Sequence, residues 1–123
     1  MSKLSEGTKF DNGKERFDLL PPDVLFELAK VYTYGATKYE ERNWEKGMNW
    51  GRLFAALMRH LWKWWRGETY DPESNIHHLS HALANVSFLL HYDLNYKHYK
   101  KWDDRPKKEE KEKKADTDPS EDS

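Results

Sequence analysis

Apolar residues recur along this chain in blocks of helical period. Trp50, Leu53, Phe54, Leu57, Met58, Leu61, Trp62 and Trp65 fall on the i, i+3, i+4, i+7 template without a miss. Asn49 stands before the block as an N-cap and Gly67 after it as a terminator able to take positive φ. A second block, "IHHLSHALANVSFLL", predicts a helix from Ile76 to about Tyr96, capped by Ser74 or Asn75 and fraying near Lys101. A shorter one, Val24, Leu28 and Val31, predicts a helix from Pro22 to Tyr34 that ends at Gly35.

Between these blocks the pattern breaks. "KFDNGKERFDLLPP" has little periodicity and reads as an ordered loop lying over the body. "GATKYEERNWEKGMN" reads as a connection with one helical turn around Thr37 to Glu41. No stretch reads as a strand and no repeat is visible. The expectation is an all-α fold, a small bundle of three to four helices, occupying residues 1–102. Residues 103–123 are mixed-charge and almost free of apolar side chains, so they are expected to form a disordered tail.

The helix from Ile76 carries two faces. At about 100° per residue, His78, His81 and Asn85 fall within roughly 60° of one another, and Phe88 and Tyr92 continue their stripe. Ile76, Leu79, Leu83, Val86 and Leu90 form an apolar stripe centred roughly 150° away. Both look destined for contact, one greasy and one built of imidazole and amide.

Composition narrows the chemistry. The chain has 123 residues, 35% of them charged, and a mean hydropathy of −1.12, so the core must come from its six Trp, seven Tyr and five Phe. The net charge of −1 hides a mildly basic body, with fifteen Lys/Arg against thirteen Asp/Glu in Met1 to Trp102. That is too weak for a nucleic-acid polymer but suits a small anionic ligand held by a few local cations. The absence of Cys excludes disulfides and thiolate chemistry, and the lack of a long apolar run or leader points away from a membrane and toward the cytoplasm.

The imidazoles have company. His60 flanks the apolar stripe of the second helix, and Glu68, Asp71 and Glu73 crowd the turn that joins it to His78 and His81. Imidazole with carboxylate suits Mn, Fe, Co, Ni or Zn, and Mg where carboxylates and phosphate oxygens dominate. An HxxH pair is more often a satisfied or solvent-facing pair, and each of Lys9, Lys14, Arg16, Lys38, Arg42 and Arg59 is alone more often a solvated charge than a phosphate contact. Trp44 in "ERNWEKG" is either a core plug or a platform for a base, and Asn43 can read a base edge.

Taken together, "KFDNGKERFDLLPP", "YGATKYEERNW", "LMRHLWKWWRGETYDPESN" and "HHLSHALANVSFLL" resemble the phage-type dATP/dGTP diphosphohydrolase domain, related to the all-α, MazG-like nucleotide pyrophosphohydrolases. The resemblance spans about Lys9 to Leu90. It implies a metal-dependent enzyme, working in a host-cell cytoplasm, that cleaves a deoxypurine triphosphate to monophosphate and pyrophosphate. In the wider superfamily an ExxE and an ExxD motif hold the metals; here "HLSHALAN" stands in register with ExxD, with His78 and His81 where acids would be, and "RHLWK" stands where ExxE is expected.

The roles that follow from the resemblance and from phosphoryl chemistry are these. Glu73 or Glu68 is the base. His60, Asp71, His78 and His81 hold a divalent metal, Mg or Mn, with Asn85 orienting them. Lys14, Lys38 and Arg59 bind phosphates, and Asn43 and Trp44 engage the purine. A nucleotide-sequestering protein without turnover is the alternative. An HD-type phosphohydrolase is disfavoured because no His-Asp dipeptide occurs. The aromatic stripe around Trp62, Trp64 and Trp65 could also serve a purely structural oligomerisation module, and it predicts a homo-oligomer under either function.

Overall fold

The computed structural model describes residues 5–106. Four α-helices run in order: α1 (Pro22–Lys38), α2 (Trp50–Trp65), α3 (His78–Leu94) and α4 (Tyr96–Tyr99), with short 3-10 turns at Phe17–Leu19, Asn43–Lys46 and Lys100–Trp102. The described residues contain no strand, only an isolated bridge between Tyr70 and His77. The all-α expectation holds. No helix among them is long and apolar enough to cross a membrane.

α3 is central, with α2 along one flank and α1 along the other. On the α2 side Trp50, Leu53, Tyr92 and Tyr99 form one core cluster; on the α1 side Val31, Ile76 and Ala84 form a second, and Phe88 packs against both. Two polar ties fix α1 to α3. Ser80 Oγ donates to the Glu27 carboxylate at 2.9 Å, and the Tyr32 hydroxyl meets Ser87 Oγ at 2.6 Å.

The two faces of α3 are buried in the opposite order from the one their hydropathy suggests. His78 and Tyr92 are fully enclosed and His81 and Asn85 are nearly so, whereas Leu79, Val86, Leu90 and Leu94 are 37%, 43%, 56% and 74% exposed. The reason is that α1 and α2 both pack toward the imidazole side, leaving only Ile76 of the apolar set buried. Phe54, Met58, Trp62 and Trp65 on α2 are likewise exposed.

Several local expectations change. α1 continues helically through Gly35 to Lys38 and ends at extended Tyr39, whose N–H bonds to the Gly35 carbonyl at 2.8 Å. Gly35 is therefore an interior residue rather than a terminator, and the turn expected at Thr37 is the end of the same helix. Neither Ser74 nor Asn75 caps α3; His77 does, its ring Nδ1 accepting from Leu79 N–H at 3.0 Å. Ile76 is consumed in closing the preceding turn, where its carbonyl accepts from Asp71 N–H at 2.9 Å. The loop before α1 does not lie over the body: Phe10 and Phe17 are 86% and 77% exposed. With no periodic apolar face to dock, that loop bonds to itself, Lys14 N–H to the Asp11 carbonyl and Arg16 to Asp18.

Gly67 stops α2 with φ +106, as expected. Asn49 occupies the N-cap position but makes no side-chain cap; Asp104 supplies one from the other end of the chain, accepting from Gly51 N–H at 2.8 Å. Asp103, Asp104 and Arg105, placed by sequence in the tail, thus lie on the body, with the Arg105 guanidinium over the Trp50 ring. The rest of the expected tail, residues 107–123, lies outside the described residues. Gly47, at φ +100, sits where an added Cβ would come within 2.4 Å of the Trp102 ring.

Gly47→Ala combines a strained backbone with a ring clash and should destabilise by about 2 kcal/mol or more, against about 1 kcal/mol for Asp104→Ala, which removes only a cap. Urea unfolding midpoints check the order.

Candidate functional site

The turn between α2 and α3 is shaped by two residues at positive φ, Gly67 at 106° and Asn75 at 61°. Between them the chain closes on itself: His78 N–H bonds to the Thr69 carbonyl at 2.9 Å and Asn75 N–H to the Asp71 carbonyl at 2.7 Å. This closure delivers Glu68 and Asp71 to the first turns of α3, where His78 and His81 project toward α2 and His60. Two chains of polar contacts result.

In the first, the Glu68 carboxylate meets His78 Nε2 at 2.7 Å, and His78 Nδ1 meets His60 Nδ1 at 2.8 Å. A carboxylate can only accept, so His78 carries a proton on Nε2; with His78 neutral its Nδ1 then accepts, which places the His60 proton on Nδ1. That leaves the lone pair of His60 Nε2 unspent, and His60 lines the cleft described below. In the second chain, Ser74 Oγ donates to Asp71 at 3.0 Å and contacts His81 Nε2 at 2.7 Å. His81 Nε2 also stands 3.7 Å from the Asp71 carboxylate. Ser74, expected from sequence only as a helix cap, takes this role because the turn closes.

The chains meet face to face: His60 and His81 stack with ring centroids 4.5 Å apart and planes 9° from parallel. Burial lowers the His60 pKa to about 4, reinforced by His81 and His78, and burial also lowers that of His81 against the pull of Asp71. Both rings are therefore neutral at pH 7. Asp71 stays ionised; burial opposes this, and the Ser74 hydrogen bond with the nearby His81 outweighs it.

Donors of this kind suit a divalent cation, but the arrangement does not make a cage. Lone pairs of stacked imidazoles lie in parallel planes and cannot converge on one ion, and His78 has both nitrogens engaged. Among the described residues no group of three His, Asp or Glu is disposed to hold a metal ion. The residues do not fit a resident metal centre.

The histidines open on a cleft of about 1190 Å³ between α1 and α2, floored by α3. His60, His81, Asp71, Glu73 and Asn85 line it, as do Lys38, Asn43, Trp44 and Arg59. Most of the residues singled out from sequence are thus brought together. Lys14 is not: it lies on the loop before α1, lining a separate depression with its neighbours from Asp11 to Arg16 and with Asp18. Glu68 and His78 stand behind the cleft rather than in it. Asn85 donates to the His81 carbonyl at 2.9 Å, which fixes its amide beside the imidazole stripe.

Glu73 and Trp44 are both committed elsewhere. Glu73 accepts from Lys38 at 2.9 Å, which, with the Tyr34 hydroxyl, holds its carboxyl below the usual range. Trp44 stacks on Phe88 at 5.6 Å, meets Tyr32 and His91 edge-on and carries the Arg42 guanidinium over its ring. The loop holding it is pinned by two phenols, Tyr92 and Tyr99, whose hydroxyls donate to the Trp44 and Glu45 carbonyls at 2.6 and 2.7 Å. Trp44 therefore plugs the core while also lining the cleft.

Residues 5–105 match the model of the family described as dATP/dGTP diphosphohydrolase, N-terminal. The chain belongs to that family. It is similar to a protein of Salmonella phage PMBT28 named dATP/dGTP diphosphohydrolase, with 35% identity over 84 residues, 68% of this chain and 29% of the relative. The chain thus spans less than a third of that relative's length. No solved structure matches it. The matched region takes in all four helices and the closed turn, so the imidazole chains and the cleft belong to this diphosphohydrolase N-terminal domain.

The depressed His60 pKa carries a stability consequence of definite sign. Protons bind the unfolded imidazole more tightly, so stability present above about pH 6.5 is lost as pH falls toward about 4, by on the order of 1 kcal/mol for a half-buried ring screened by solvent. Denaturation of the metal-free protein at pH 7 and pH 4.5 should show that loss, and His60→Gln should reduce it.

Proposed function

We propose that this domain hydrolyses deoxypurine nucleoside triphosphates, dATP and dGTP, to the monophosphate and pyrophosphate, in the cytoplasm of a phage's host cell. The observation that carries this is the chain Glu68–His78–His60, which ends in an unspent imidazole lone pair at the wall of a cation-lined cleft. The names of the family and of the phage relative support the substrate class.

In this reading a water attacks the α-phosphorus while the bond to the β-phosphate oxygen breaks, and His60 Nε2 takes the water's proton. Glu68, acting through His78, holds His60 in the tautomer that can accept and offsets the charge that develops. Burial, with His81 and His78 beside it, makes His60 a weak base; the negative charge of a triphosphate placed beside it raises its basicity. The carboxylates expected as bases are taken by other partners, Glu73 by Lys38 and Glu68 by His78. Mg or Mn enters as part of the substrate, carried on the triphosphate oxygens, because the imidazoles form no cage of their own. Asp71 and Glu73 are the cleft carboxylates facing such a complex.

A second copy of the chain completes the reading. Leu79, Leu83, Val86 and Leu90 recur at alternating four- and three-residue steps, a heptad seam that fits an identical helix, and Leu90 remains 56% exposed. The exposed aromatic face of α2, with Phe54, Trp62 and Trp65, is further apolar surface available to a partner.

Incubation with each dNTP in Mg or Mn should release pyrophosphate from dATP and dGTP, and His60→Ala should lower kcat by about 10²-fold or more. Tight binding with intact nucleotide recovered would support sequestration instead, and release of triphosphate would support HD-type chemistry. Light scattering should show a dimer or larger species, with Val86→Glu/Leu90→Glu shifting dissociation at least about tenfold at unchanged helicity.

A further inference from the structure

The cations of the cleft divide into two sets. Lys38, Arg42 and Lys46, on the α1 side, are each neutralised: by Glu73 at 2.9 Å, Glu45 at 2.8 Å and Glu40 at 2.6 Å. Arg52, Arg59 and Lys63, on α2, line the same cleft with no carboxylate, hydrogen-bond or ring partner among the described residues. Their spacing of seven and four residues sets them on one face, about 10 Å and about 6 Å apart along the axis. Ala55 and Ala56 lie between and leave the helix surface low, so that the charges stand along an open wall.

Three like charges aligned without a counter-ion repel one another, and Lys63 also works against protonation of His60. An arrangement that costs stability in the free protein and lies along one line is suited to a linear polyanion rather than to a point anion. The cleft is polarised along that line. Trp44, Met48, Leu53 and Phe88 gather at the Arg52 end, and His60, His81 and Asp71 at the Lys63 end.

We infer that Arg52, Arg59 and Lys63 form a rail that takes a polyphosphate lengthwise along α2, the nucleoside at the Trp44 end, the α-phosphate at the level of Arg59 and His60, and the terminal phosphates at Lys63. This rests on the nucleotide reading of the cleft and adds direction and residues to it. The α1-side cations keep their carboxylates and shape the opposite wall. The spacing was present in the sequence, where Arg59 alone of the three was expected to bind phosphate; the absence of counter-ions required the fold.

Direct binding tests the rail without turnover. Calorimetry with dAMP, α,β-methylene dADP, α,β-methylene dATP and inorganic tripolyphosphate should give affinity that climbs with phosphate number. Lys63→Met should weaken the triphosphate analogue and tripolyphosphate about tenfold while leaving dAMP within about twofold. Arg52→Met should weaken all the nucleotides. Neither change should lower the melting temperature, because each relieves repulsion. Equal losses for dAMP and the triphosphate analogue in Lys63→Met, no loss in either variant, or loss of binding only alongside a lowered melting temperature would each overturn the rail. A wild-type protein that binds the analogues in this graded way but hydrolyses no dNTP would leave the rail standing and remove the hydrolase reading; hydrolysis with unaltered binding in both variants would do the reverse.

Discussion

The site depends on burying imidazole where a helix would ordinarily bury leucine. His78 has no solvent contact, and an unsatisfied polar group in that position would cost several kcal/mol on the order of a lost hydrogen bond or more. Both of its nitrogens are satisfied, by Glu68 on one side and His60 on the other. That double commitment explains much of the surrounding geometry. The turn must close tightly enough to bring Glu68 back over α3, α2 must present His60 at that level, and α1 must pack elsewhere on α3. A buried network of this kind is stabilising only when each member is satisfied, and here each link fixes the next.

The consequence is a protein with its hydropathy partly turned outward. The helical periods of α2 and α3 were legible from their apolar residues, and so was the convergence of His60, His81 and Asp71, because the acidic turn joins the two helices that bear the histidines. What the pattern could not rank was which of two faces on α3 would be covered. Apolar periodicity assumes that the greasier stripe is buried within the same chain, an assumption that fails where polar groups are mutually satisfied and leucines are left for another surface. The α3 cap and the end of α1 escaped for a related reason: His77, Asn75 and Gly35 take conformations set by the closed turn and by packing, not by their local propensities.

Long-range contacts account for the rest. Asp104 caps α2 from a segment whose composition looks unfoldable, and Trp102 fills the space left by Gly47. Neither is visible in a window of neighbouring residues. Lys14, by contrast, had the right chemistry but sits on a loop with nothing to dock it against the helices. The two imidazoles expected as ligands of one ion instead stack in parallel, which is why the proposed reaction carries the cation on the substrate and the proton transfer on His60.

The central claim is that Glu68, through His78, fixes the proton of His60 on Nδ1 and leaves Nε2 open to the cleft. Long-range proton–nitrogen correlation of the imidazole rings reads this directly in metal-free protein at neutral pH. The expected spectrum shows His78 protonated on Nε2 only and His60 protonated on Nδ1 only, with Glu68→Gln disturbing both rings. A doubly protonated His60, or one carrying its proton on Nε2, would contradict the account.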